Sequence, residues 1–122
     1  MLIPTLIAVF FVHWLGDFCF QTSWQAANKS KNWYALTYHV FTYSATLAAF
    51  GVIYCLAAWK IHSVLPWVLL NGGIHFGVDA VTSRMTAKLY KAGEIHNFFV
   101  VVGLDQFIHI VTLMLTLPLL TC

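Results

Sequence analysis

An all-α bundle of four membrane-spanning helices is the fold class this sequence predicts, and three observations predict it. Hydrophobic residues make up 61% of the 122 residues and charged ones only 8%, against ~25% in a soluble domain. The apolar residues gather into four stretches, each close to the ~20 residues that cross a hydrocarbon core. The connections between them are short and unequally charged. The chain reads as one polytopic domain over residues 1–122, with no internal repeat or low-complexity linker.

The first span covers about residues 2–20, with Pro4 in its first turn, where a missing N–H costs nothing. No basic segment precedes it and it ends in no small-residue cleavage pattern, so it reads as a retained helix rather than a signal peptide. The second span covers about residues 35–59 and the third about 64–82, with Pro66 near its start. The fourth covers about residues 98–120.

Orientation follows from the connections. QTSWQAANKSKNWY carries Lys29 and Lys31, SRMTAKLYKAGEIHN carries Arg84, Lys88 and Lys91, and KIHS carries only Lys60. Alternating spans put five of the six basic residues on one side. That side is cytoplasmic by the positive-inside bias, which leaves both termini on the outer, periplasmic side. Trp24, Trp33, Tyr34 and Tyr90 then fall at the inner boundary and Trp59 and Trp67 at the outer, as an aromatic belt requires. The net charge of +2 is too small to argue for nucleic acid. Cys19, Cys55 and Cys122 have no paired or metal-type spacing, and Cys19 and Cys55, inside the expected helices, read as small apolar residues that happen to be thiols.

The chemistry lies in the acidic residues. Only Asp17, Asp79, Glu94 and Asp105 are present, and each aspartate has a histidine four positions away: His13–Asp17, His75–Asp79 and Asp105–His109. With six histidines in the chain, three such pairs out of three arise by chance roughly once in a thousand, and the spacing puts each pair on one helix face. In the first and third spans the histidine comes first, whereas in the antiparallel fourth the aspartate does. The aspartates therefore share one depth nearer the cytoplasm, with the histidines one turn, ~6 Å, deeper. A motif that reverses when its helix reverses builds one site from several helices. His39, about one turn into the second span, offers a further donor.

Bare ionisable groups in a bilayer cost several kcal/mol and so face the bundle interior, where they pair. Histidine and aspartate can bond each other as structural glue, or ligate one or two divalent ions, zinc or similar. Three pairs plus His39 exceed what glue needs. The ligand set is therefore His13, Asp17, His39, His75, Asp79, Asp105 and His109. Asp17, Asp79 and Asp105 are also the candidate catalytic carboxylates, as general base or as partner to a histidine. GIHFG, residues 73–77, is a GxxxG pattern around His75, and Gly16 and Gly103 flank Asp17 and Asp105, so glycines are expected to bring the helices close. On the cytoplasmic rim, Arg84 and Gln106 are the candidate substrate contacts. Lys29, Lys31, Lys88 and Lys91 read as interfacial anchors, and His62 and His96 as solvated.

HWLGDFCFQTSWQAANKSKN, YHV, NGGIHFGVDAVTSR and FFVVVGLDQFIH, in that order, resemble a domain-of-unknown-function family of small bacterial and phage membrane proteins across nearly the whole chain. The His-xxx-Asp helices resemble, more distantly, membrane-bound metal-dependent hydrolases. The resemblance implies a multi-pass protein of the bacterial inner membrane, and by analogy a hydrolase. The expected function is metal-dependent hydrolysis at the cytoplasmic leaflet, on a lipid or phosphoester substrate. One alternative is a non-enzymatic phage or bacterial membrane protein that binds a host membrane partner, with the His–Asp pairs as glue. A third is a small ion or metal conduit, which the nearly uncharged outer halves of the spans disfavour. A bundle this small is also compatible with a homo-oligomer in the bilayer, although no interface is legible.

Overall fold

The computed structural model describes residues 2–122, and every regular element among them is helical. Helix α1 is Leu2–Trp14 and runs directly into a π-helical turn, Leu15–Cys19. Helix α2 is Ser23–Asn28, α3 is Trp33–Leu56, α4 is Val64–Lys91 and α5 is Ile95–Thr116. Short 3₁₀ turns, Ile61–Ser63 and Leu117–Leu119, precede α4 and follow α5. Four of these helical segments are long and apolar enough to cross a membrane: Leu2–Cys19, Trp33–Leu56, Ile61–Lys91 and Ile95–Leu119.

Two of the expected loops contain helix. The first connection holds α2 because TSWQ is a capping box, in which Gln25 N donates to Thr22 Oγ1 at 3.1 Å and Thr22 N donates to Gln25 Oε1 at 3.1 Å. The second connection shrinks to Ala92–Glu94, because residues 83–91 continue α4 and α5 begins at Ile95. No helix breaker interrupts that run before Gly93, whose φ of 74° ends α4 while Glu94 N returns to Leu89 O at 2.9 Å.

The bundle is divided by polarity. Its termini end is packed with Val9, Leu47, Cys55, Val64, Trp67, Val68, Leu113, Leu117 and Leu120. Leu2 and Leu6 share a cavity wall there with Tyr54, Leu117 and Leu120, which puts both chain ends beside the far end of α3. Trp67 is fully buried in this core, not in a boundary belt, whereas Trp24, Trp33, Tyr34, Trp59 and Tyr90 are exposed. Cys55 and Cys122 form a disulfide that ties α3 to the chain end, with Cα atoms 5.1 Å apart. Sequence spacing does not predict that bond, since 67 residues separate the two cysteines. Cys19 is free and exposed.

The outer surface is apolar: Phe41 is 71% exposed, Ile53 74% and Leu115 75%. Polar groups instead fill the interior of the other half, an inversion that suits a bilayer as solvent. Close helix approach depends on other glycines than those in GIHFG. A Cβ on Gly73, Gly77 or Gly103 would meet nothing, since all three face outward. A Cβ on Gly51 would lie 2.8 Å from Val64 Cγ1, and one on Gly16 would lie 3.2 Å from the Tyr43 ring.

Candidate metal centre

Every long helix contributes a buried titratable side chain to the polar half. Asp17 comes from the π-turn after α1, His39 from α3, His75 and Asp79 from α4, and His109 from α5, all of them buried. The π-turn widens the helix by one residue, with Phe20 N reaching Leu15 O at 2.8 Å. Such bulges recur at functional sites because they re-aim a side chain without ending the helix. Here the turn carries both Gly16, against Tyr43 and Thr46, and Asp17, against the histidines.

Four donors converge. His39 Nε2 lies 3.1 Å from Asp17 Oδ1, 3.2 Å from Asp79 Oδ2 and 3.1 Å from His75 Nε2. His75 Nε2 lies 3.4 Å from Asp17 Oδ1 and 3.7 Å from Asp79 Oδ2. A tetrahedral ion with ligands at 2.0–2.2 Å would hold its donors about 3.3–3.6 Å apart, and the five separations above run from 3.1 to 3.7 Å around that range. Hydrogen bonding alone does not account for it. His39 Nε2 carries at most one proton, yet it faces three atoms that could accept one. These four groups are therefore positioned to hold a metal ion.

A second group, Asp17, Asp105 and His109, also brings three donor atoms within 4.8 Å of one another. His109 Nε2 lies 3.1 Å from Asp79 Oδ1 and 3.4 Å from Asp105 Oδ2. Gln106 Nε2 donates to Asp17 Oδ2 at 2.9 Å and to Asp105 Oδ2 at 3.0 Å, while Thr82 Oγ1 donates to Asp105 Oδ1.

His13 stands outside both groups. Its Nδ1 meets the Tyr43 hydroxyl at 3.1 Å, its Nε2 meets Gln106 Oε1 at 2.9 Å, and Asp17 Oδ2 is 3.8 Å away. It thus braces Gln106, which in turn braces two aspartates. Arg84 lies over the Trp33 ring at 4.2 Å and donates to Ala80 O at 2.7 Å. His62 and His96 are exposed, away from the cluster.

Two participants carry no weight in the sequence pattern. Lys29, at the end of α2, places Nζ 3.0 Å from Asp79 Oδ2, so it is more than an interfacial anchor. Tyr43 lies four residues after His39, the same spacing that marks the aspartates, but a tyrosine in an apolar helix raises no question by itself.

A cavity of about 160 Å³ opens beside the cluster, lined by Asp17, Asp79 and Asp105 together with Lys29, Thr82, Ser83 and Gln106. None of the cluster's histidines lines it. The aspartates thus form the layer facing the basic end and the histidines the layer behind. Lys29, Ser83 and Thr86 also line a wider recess of about 950 Å³, whose wall includes Lys31, Arg84, Lys88 and Lys91. All five basic residues of the two connections therefore border one route to the cluster.

No curated protein and no solved structure matches this chain. One family does, over residues 5–121, and this stretch contains every residue of the cluster. The chain belongs to that family, which is described as protein of unknown function (DUF3307).

Proposed function

We propose that the chain is a polytopic membrane protein with both termini on the outer side, and that its His–Asp cluster is the centre of a metal-dependent hydrolase at the cytoplasmic leaflet. The orientation is supported by the basic connections at one end. It is also supported by the Cys55–Cys122 disulfide at the other, since disulfides persist on the oxidising side of a bacterial membrane. The membrane in question is the bacterial inner membrane, and the substrate is a phosphate ester of a lipid in its inner leaflet.

The observation that carries the reading is the junction of a four-donor His–Asp quartet with a cavity that leads into a basic recess. His39, His75, Asp17 and Asp79 would hold a divalent ion, and metal bound in the cluster would supply Lewis acidity and lower the pKa of a water to ~7. The chain's own groups do the rest. Lys29, with Lys31, Arg84, Lys88 and Lys91 behind it, attracts and orients the phosphate. A cavity-lining carboxylate receives the water's proton as the water oxygen bonds to phosphorus. The ester P–O bond breaks, and the departing alkoxide takes that proton up. His13 and Tyr43 touch no substrate and keep Gln106 and His75 in place.

The test is a screen of lipid phosphate esters with purified protein in three forms: chelated, metal-restored, and His75→Ala. Turnover is expected only in the metal-restored wild type, with membrane insertion unchanged in the variant. A metal-loaded protein that hydrolyses none of these esters would sink the hydrolase reading. Failure to retain any divalent metal would sink the centre itself.

A further inference from the structure

We propose that the cluster takes two divalent cations, the second held by Asp17 and Asp105 at the cavity wall with His109 behind them, and carrying the open coordination position. This rests on the metal-centre reading above and divides the labour within it. The quartet already offers four protein donors and is walled by buried side chains, the arrangement of a closed, structural ion. The second group offers three donors, the usual number at a catalytic ion, whose remaining position takes water or substrate.

Three features of the second group support a cation there. Two of its carboxylates line the cavity, and Asp105 is the more exposed, with 15% of its side chain accessible. Gln106 Nε2 donates to both Asp17 Oδ2 and Asp105 Oδ2 and so holds the two carboxylates side by side, leaving their other lone pairs for a cation. Ser83 Oγ, on a residue only 9% exposed, is buried without a hydrogen-bond partner at the same cavity wall. That hydroxyl is free for a ligand in the cavity.

Charge points the same way. Three carboxylates and Lys29 leave two negative charges when the histidines are neutral. One divalent ion cancels them. A second leaves a double positive charge, which in a low-dielectric interior calls for an anion of matching charge. Phosphate is such an anion, so the second ion and the phosphate should bind cooperatively. Asp17 belongs to both groups and joins the two ions through one carboxylate.

The experiment loads the full-length protein in detergent with Mn²⁺ in the presence of inorganic phosphate. It reads the manganese content per chain and the electron paramagnetic resonance spectrum. The wild type should hold two ions with an exchange-coupled signal. Asp105→Asn should hold one ion with the uncoupled six-line signal, and His109→Gln serves as a second variant where Asp105→Asn does not fold. Omitting phosphate should lower the occupancy of the second ion by about tenfold or more at limiting Mn²⁺. A wild type with one uncoupled ion would overturn the second site and leave the first standing. Two coupled ions retained in both variants would overturn the ligand assignment. No bound ion at all would instead overturn the metal-centre reading itself.

Discussion

The Tyr43 ring lies flat on the His75 imidazole, with centroids 3.9 Å apart and planes 9° from parallel. His75 Nδ1 is buried and has no hydrogen-bond partner, so no bond at that nitrogen fixes the ring. The stack does so instead, while the Tyr43 hydroxyl reaches back to His13 at 3.1 Å. Loss of an orienting partner typically costs 10–100-fold in metal affinity. Tyr43→Ala should therefore weaken metal binding by about that factor, and Tyr43→Phe, which keeps the ring, by less. Competition against a chromogenic chelator measures both. Equal affinity in wild type and Tyr43→Ala would remove the stack from the account.

Lys29 and Lys31 are two residues apart and should behave differently. Lys29 is bonded to a buried carboxylate, whereas Lys31 is exposed and has no ion-pair partner among the described residues. A charge-assisted hydrogen bond of this kind is worth about 1.5–3 kcal/mol. Lys29→Met should lower kcat/KM on a phosphate ester by about 10–100-fold, with Lys31→Met changing it far less. Steady-state kinetics of the two variants side by side decides the matter, and equal effects would return Lys29 to the role of an anchor.

Gly51 and Gly77 separate packing from pattern. A Cβ at Gly51 would press on the stiff, branched Val64 side chain, whereas one at Gly77 points into open space. Gly51→Ala should destabilise the bundle by about 1–3 kcal/mol through overpacking. Gly77→Ala should leave it unchanged or gain up to about 1 kcal/mol from helix propensity. Unfolding of both variants in mixed detergent micelles measures this, and metal content should be unaffected at either site.

The proposed orientation predicts opposite accessibility for the two ends. A reporter fused after Cys122 should be active only on the outer side. A Lys88→Cys variant should react with an impermeant maleimide only in inverted vesicles. Labelling of that residue in intact cells would reverse the topology and require the disulfide to face the reducing compartment.

The residues differ sharply in how readable they are. Periodicity of four exposes Asp17, Asp79, Asp105 and their histidines, because an ionisable group in an apolar helix is costly enough to need a reason. On that ground His13 ranks with the others, since a spacing gives a helix face and not the contacts that Tyr43 and Gln106 impose on it. His39 has no aspartate four residues away, and its position at the centre of the quartet depends on how α3 packs on α4. Lys29 is hidden for another reason: a flexible side chain on a short helix finds its partner 50 residues away. The capping box at Thr22–Gln25 is written in the sequence but masked by its surroundings, because polarity alone makes that connection look like loop.

The π-turn in the first span has a consequence for length rather than geometry. An α-helix advances about 100° per residue, and the π-turn at Leu15–Cys19 houses one additional residue without turning α1 away from the segment that leads into α2. Upstream, Val9 must meet the apolar core and His13 must meet Tyr43. Downstream, Gln25 must reach Thr42 and Lys29 must reach Asp79. The wide turn takes up that residue, so one more residue in the span would swing Val9 and His13 about 100° away from their partners. The first span therefore has no room for a further residue, and its residue count is itself part of the site.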